Sequence, residues 1–466
     1  MLVSTRAAMP SRLRPVVPAG HRAFLVLLAL AAALRVITML GYPTARLYWY
    51  DSFTYLANAM QPAPSATFHP IGYPLMLRLL WPFHSVELIA AVQHTLGLAI
   101  GVLIYLVLRR RSLPGWVAAA ATVPPLFDAS FLRLEHAVLS DTPFIFLIVA
   151  GLSALMWSPR LSVRAATAAG LLFALAALTR TIALPLLVVV LLVLAVQRAG
   201  RARLLAVALA GTLPLAAYAT WYGTQHGRFA LSGADGIALW ARTMTFADCT
   251  VIRPPRAEAA LCPNGTTLDA ASEYVWSPEA SLNRLPGDRF AHNDLARSFA
   301  VRAIVAQPLD YLREVVRDTS IAFSWTPIAH PARTTPAFGF ARGQWPLPAY
   351  PLVAEVRARY DQDIGAFTSA GPWADLLIAY QYPAYLRGPM LLAILLAGAF
   401  GVRRAGLLPW GAAMALLVGP VAVLDFDHRY VLPVIPIACL AAALGLHQAA
   451  RAVRQRREGA PSAVPE

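Results

Sequence analysis

The chain has 466 residues, of which 58% are hydrophobic and 14% charged, with a net charge of +15 and a mean hydropathy of +0.56. Soluble domains carry about 25% charged residues, so a soluble enzyme, a disordered chain and a small disulfide-stapled secreted domain are excluded. All 39 basic residues are arginine, and they fall in short clusters between apolar runs rather than on one face. That pattern excludes nucleic-acid binding and fits the loops of a membrane protein.

A spanning helix needs about 20 mostly apolar residues. The sequence predicts an all-α polytopic membrane protein with about ten such helices, at 23–42, 86–108, 113–127, 138–157, 164–179, 181–197, 203–222, 386–402, 406–424 and 430–448. A cleaved signal peptide competes for the first. The further spans, and Arg35 within that segment, favour a span. Ten crossings put both termini on one side. The leader (Arg6, Arg12, Arg14, Arg22), Arg109–Arg111, Arg160 with Arg164, Arg198 with Arg201 and Arg203, Arg403 with Arg404, and the tail (Arg451, Arg454, Arg456, Arg457) all fall on that side. Of the 24 acids only Glu458 and Glu466 join them. The positive-inside rule then predicts a multi-pass protein of the cytoplasmic membrane with both termini cytoplasmic.

Three regions follow: a transmembrane module at 1–222 with a first outer loop at 43–85, an extracytoplasmic region at 223–385, and C-terminal helices with a basic tail at 386–466. Cys249 and Cys262 lie in the extracytoplasmic region, where an oxidising compartment favours a disulfide; two free thiols are the alternative. Cys439 falls in a span and reads as apolar packing. The chain has no GxxxxGK[ST] phosphate loop, which argues against a one-chain ATP-driven pump.

Chemistry-bearing residues gather at the outer ends of the spans. The first loop reads Tyr48-Trp-Tyr-Asp51-Ser-Phe-Thr-Tyr55, a carboxylate among aromatics. Burial there raises a carboxyl pKa and suits it to act as a base. The spacing from Asp51 to Tyr55 and Ala59 predicts a short helix along the membrane, with Asp51 near its N-terminus. An N-cap aspartate in an interfacial helix is the plainer reading of the same residues. Next, Phe68-His69-Pro70-Ile-Gly72-Tyr73-Pro74 breaks helix before a new apolar run, and offers His69 and Tyr73 as donors to a phosphate or sugar. Arg133-Leu-Glu135-His136 and Ser140-Asp141 place two carboxylates at a membrane face, where charge is costly unless used or paired. Six residues separate Glu135 from Asp141, so on one helix they point to different sides. Arg180 and Arg429 stand at outer lipid boundaries, and arginine grips phosphate by paired hydrogen bonds; snorkelling to lipid headgroups is the alternative.

In this order the motifs resemble those of bacterial GT-C-fold membrane glycosyltransferases, the superfamily that includes the protein mannosyltransferases and aminoarabinose transferases. The resemblance rests on Tyr50-Asp51-Ser-x-x-Tyr55, His69-Pro70-Ile-Gly-Tyr73-Pro74-Leu75, the acids Glu135 and Asp141, Leu178-Thr-Arg180-Thr, and Arg429-Tyr430-x-Leu-Pro433-x-x-Pro436. It covers residues 23–200 and 386–448. Many relatives carry Asp-Glu where this chain has Asp51-Ser52. The resemblance implies a polyprenyl-phosphate sugar donor and inverting transfer to a hydroxyl of a cell-wall glycan, glycolipid or protein. Asp51 is then the base, and His69, Arg180 and Arg429 hold the donor phosphate. Tyr55, Tyr73, Glu135 and Asp141 orient substrate. A divalent metal is left open, since neither HExxH nor DxD is present. A polytopic transporter or lipid flippase is the competing class, but it calls for repeats or broken midplane helices. A non-catalytic envelope scaffold is the third.

Overall fold

The computed structural model describes residues 19–332, 339–402 and 405–458. The leader arginines Arg6, Arg12 and Arg14, the pair Arg403–Arg404, and Glu466 lie outside the described residues. Among the described residues the regular elements are helices, with one short antiparallel strand pair, β1 (Gln344–Trp345) and β2 (Phe367–Thr368). Long apolar runs become helices because lipid offers backbone polar groups no partner but their own chain.

The first half runs α1 (Ala19–Gly41), α2 (Trp49–Met60), α3 (Gly72–Leu80), α4 (Val86–Arg110), α5 (Gly115–Ala120), α6 (Val123–Phe127), α7 (Ala129–Glu135), α8 (Asp141–Met156), α9 (Val163–Thr179), α10 (Ala183–Val196) and α11 (Arg201–His226). Ser85 caps α4 by accepting from the Leu88 amide at 3.1 Å. The span expected at 113–127 is instead a broken rod, α5 to α7, reaching residue 135. Pro124 and Pro125 supply no amide donors there, and the Asp128 carboxylate accepts from the Ser130 amide at 2.7 Å to start a new helix.

The long connection that follows holds α12 (Asp235–Thr243), α13 (Cys249–Ile252), α14 (Ala271–Trp276), α15 (Asn293–Ala306), α16 (Pro308–Ser320), α17 (Pro351–Arg359) and α18 (Trp373–Gln381). It divides in two. Residues between Ile237 and Ala303 close around their own core of Trp240, Leu282 and Phe299, with Cys249 and Cys262 disulfide-bonded across a Cα separation of 6.1 Å. The later part returns to the bundle: α17 lies against α2 and α18 against α1, where Leu377 packs with Tyr42 and Leu132. The chain closes with α19 (Gly388–Ala399), α20 (Leu407–Val423), α21 (His428–Val431) and α22 (Val434–Glu458). Cys439 is a buried free thiol.

Four stretches are long and apolar enough to cross a membrane: His21–Gly41, Val86–Arg110, Arg201–His226 and His428–Val453. Five shorter apolar helices, α8, α9, α10, α19 and α20, accompany them. With the broken rod these helices fall on the ten stretches the sequence marked as apolar. Exposed Leu205, Leu209 and Leu213 line one side of α11, as a lipid-facing surface requires. Short connections make successive helices antiparallel. One end of the bundle therefore collects the starts of α4, α8, α10, α19 and α21 and the finishes of α1, α9, α11 and α20. At the other end Arg111 donates to the Met156 carbonyl at 2.9 Å, and Arg110 lies 4.2 Å from the Trp157 ring.

Candidate active site

Asp51, His69, Arg180 and Arg429 meet at the first of these two ends. Asp51 is the third residue of α2, and Tyr48 occupies the cap position. Ser52 organises this turn: its hydroxyl accepts from the Tyr48 amide at 2.7 Å and donates to the Val138 carbonyl at 2.8 Å. Asp51 is therefore free of capping duty. Its Oδ1 lies 3.3 Å from His69 Nε2, and its Oδ2 lies 3.9 Å from Arg429 Nη1. The side chain is 30% exposed, so it is reachable from outside.

His69 is oriented from behind. Tyr55, one turn after Asp51, has its phenol oxygen 3.0 Å from His69 Nδ1 and 3.2 Å from the Ser140 hydroxyl. If Nε2–H is given to Asp51, then Nδ1 accepts from the Tyr55 hydroxyl and Ser140 donates to Tyr55. This run of hydrogen bonds fixes one tautomer of the ring. Tyr73 stands edge-on to Tyr55, with ring centroids 4.9 Å apart, and donates to Gln93 Oε1 at 3.0 Å. Tyr73 thus supports Tyr55 from inside the protein and does not face the opening. Gly72 makes the approach of α3 possible, because a Cβ there would meet the Leu178 carbonyl at 2.6 Å.

Arg180 ends α9, and its Nη1 lies 2.6 Å from Asp141 Oδ1 at the start of α8. Arg429 Nε lies 3.1 Å from Asp427 Oδ2. The two guanidinium groups flank Tyr430, at 5.4 and 5.5 Å from its ring, and Arg429 also lies 5.7 Å from the Tyr48 ring. The cations reverse the expected pKa direction at Asp51. Burial pushes the carboxyl up, but the His69 hydrogen bond and the charges of Arg429 and Arg180 outweigh it and hold the group below its usual range.

Glu135 stands apart. It is 1% exposed, and its Oε1 accepts from Arg35 Nη2 at 2.7 Å while Oε2 lies 2.9 Å from His94 Nδ1. His94 Nε2 reaches His136 Nδ1 at 3.2 Å, and His136 Nε2 reaches the Thr44 carbonyl at 3.1 Å. This buried network ties α1, α4 and α7 together. It also steadies residues 136–138, which pair with Arg46. Placing Glu135 with Asp141 at one membrane face does not reveal it, because the chain breaks helix between them.

Sequence reasoning also missed Ser140, Gln93 and His94. The last two carried a signal, being a polar pair inside an apolar run, where such groups are costly unless partnered. Asp425 links the site end to the long connection: its Oδ2 accepts from the Ser272 amide at 2.9 Å. Burial pushes its carboxyl up to about 6. Among the described residues no three His, Cys, Asp or Glu side chains gather to hold a metal ion.

No protein-family model and no curated protein matches this chain. Among solved structures it is similar to the S. cerevisiae protein O-mannosyltransferase Pmt1-Pmt2 complex bound to the sugar donor, at 16% identity over 55% of this chain and 38% of that one, with a TM-score of 0.37. It is also similar to the Archaeoglobus fulgidus oligosaccharyltransferase in the apo form, at 14% identity over 95% of this chain and 52% of that one, with a TM-score of 0.42. A third is ArnT from Cupriavidus metallidurans bound to undecaprenyl phosphate, at 14% identity over 96% of this chain and 82% of that one, with a TM-score of 0.36. The chain spans about half or less of the length of the first two.

Proposed function

We propose that this chain is an integral membrane glycosyltransferase that moves a sugar from a polyprenyl-phosphate carrier to an extracytoplasmic acceptor hydroxyl with inversion. The observation that carries the reading is the ionised Asp51 carboxylate set beside His69, Arg180 and Arg429 at one mouth of an apolar bundle. Asp51 takes the proton of the acceptor hydroxyl as that oxygen bonds to the anomeric carbon. The bond from that carbon to the carrier phosphate breaks, and its electron pair leaves with the phosphate. His69, Arg180 and Arg429 hold the phosphate and stabilise the charge growing on the leaving oxygen.

The low pKa of Asp51 fits this sequence of events. A carboxylate depressed by arginines is a weak base, but a bound phosphate neutralises the same arginines. Donor binding thereby restores the basicity of Asp51. Tyr55 positions His69, Tyr73 supports Tyr55, and Asp141 holds Arg180; Glu135 braces the 136–138 segment from within. The site end faces the extracytoplasmic side in this reading, with the 223–385 region beside it and both termini cytoplasmic. The acceptor is a cell-wall glycan, glycolipid or protein.

Asp51→Asn tests the proposal. Transfer from a purified polyprenyl-phosphate sugar should fall by about 10²–10⁴, with donor affinity retained. A variant that folds normally and turns over at the wild-type rate would remove Asp51 as the base.

A further inference from the structure

Two arginines close to the site have no carboxylate partner. Arg133, on α7, is 6% exposed, and its Nη1 is buried without a hydrogen bond. Its guanidinium lies 5.5 Å from the Phe340 ring. Arg46, half-buried, lies 5.6 Å from the Phe367 ring. Both rings stack on Tyr42, at 5.4 and 5.1 Å, so the two cations share one aromatic cluster. No ion pair reaches either one among the described residues. Two acids on neighbouring elements are already used: Asp375 pairs with Arg342, and Asp128 accepts from the amides of Ser130 and Leu386. The residues outside the description in the adjoining stretch, 333–338, contain no acid.

A buried cation with a second, half-buried cation on the same aromatic cluster is costly unless something anionic completes them. Arginine presents a fork suited to phosphate or carboxylate oxygens. The pair stands on different rings from the Asp51 group: Arg429 lies over Tyr48 and Tyr430, while Arg46 lies over Phe367, which stacks on Tyr42. We infer that Arg46 and Arg133 form a second anion site, and that it receives a phosphate or carboxylate group carried by the acceptor. The anion site itself stands on the geometry, whereas its assignment to the acceptor rests on the transferase reading, which gives the first site to the donor phosphate.

The test uses the full chain in detergent, with orthophosphate as probe and the melting temperature as readout. An Arg429→Gln background disables the first site. The remaining stabilisation by phosphate should be lost when Arg46→Gln or Arg133→Gln is added, and kept with Arg46→Lys. Without phosphate, Arg133→Gln should melt at or above the temperature of its background, because an uncompensated buried charge has gone. A purely structural arginine would give the opposite. An unchanged phosphate response, or an Arg133→Gln variant that melts lower or fails to fold while Arg46→Gln also keeps the response, overturns the site.

In transfer assays, Arg46→Gln should raise the acceptor KM about ten- to hundredfold, the loss of one charge-assisted hydrogen bond, while the donor KM holds. A raised donor KM would instead assign the pair to a second phosphate on the donor, against the inference. If Asp51→Asn retains full transfer, the transferase mechanism fails, whereas the phosphate measurement still decides the anion site.

Discussion

Asp51 and Asp425 both lie at the site end of the bundle yet are pushed in opposite directions, and pH separates them. Asp51 is held below its ordinary range by His69, Arg429 and Arg180 despite its burial. The stability it contributes is therefore present above the unfolded carboxylate value of about 4 and lost below it. The acid limb of kcat/KM set by Asp51 should likewise lie below about pH 4. Asp425 is raised to about 6 by burial. Its protonated form is favoured by folding, so its contribution is full below about pH 4 and lost as pH rises through about 6. The unfolding midpoint should fall across that window, and Asp425→Asn should flatten the fall. The same inflection in the Asn variant would assign it to another group. Arg180 needs a paired variant. Asp141 is 2% exposed against it, so Arg180→Ala alone strands a buried carboxylate at a cost of about 3–5 kcal/mol. Arg180→Gln with Asp141→Asn should fold nearly as well as wild type and still bind donor at least about tenfold more weakly. Normal donor affinity in the double variant would make the pair structural. Residue types alone marked Asp51, His69, Arg180 and Arg429. They could not show that the arginines would overturn the effect of burial at Asp51, since that depends on distances between four separate segments.

At the scale of elements, the site depends on how closely two helix ends approach. His69 precedes α3, and α3 rests on the end of α9 through Gly72, whose missing side chain leaves room for the Leu178 carbonyl. Gly72→Ala must push α3 away from α9, and with it His69 away from Asp51. Overpacking of this kind costs about 1–3 kcal/mol. The expected outcome is a modest loss of thermal stability and a large loss of transfer, with Asp51 and Arg429 untouched. A variant with wild-type turnover would mean that His69 keeps its place without that contact. The sequence showed the proline and glycine break at 70–74 but not what α3 rests against. The same limit applies at 113–135. Apolar composition marked a passage through the membrane, while Pro124, Pro125 and the Asp128 cap turned it into three helices and carried Glu135 inward to Arg35 and His94. Hydropathy reports burial in lipid or protein alike, so it could not separate a continuous span from a broken one.

The whole molecule has one chemical asymmetry from which the positive-inside rule predicts which way the site faces. The bundle end opposite Asp51 carries Arg109–Arg111, Arg160, Arg164, Arg198, Arg201 and Arg203, and the described residues of the site end carry most of the acids. That distribution was legible in sequence because a positive charge is retained on the cytoplasmic side during insertion. The division of 223–385 was not, because its later part is held to α1 and α2 by contacts between residues some 300 apart, such as Tyr42 with Ala341. The orientation predicts the redox state of the cysteines as well as the place of the site. Cys249 and Cys262 stand in the body around Trp240, and a bridge closing so short a loop constrains the unfolded chain by roughly 3 kcal/mol. If that body lies outside the cytoplasmic membrane, the bridge forms in the cell and persists. Thiol labelling of unreduced, denatured protein should then modify Cys439 alone, and all three cysteines after reduction. A reporter active only in the periplasm, fused near residue 260, should be active in the same cells, whereas a cytoplasmic reporter there should be silent. A cytoplasmic signal at residue 260, with all three thiols labelled before reduction, would invert the topology. It would also place Asp51 on the side of the membrane where the proposed acceptors are absent.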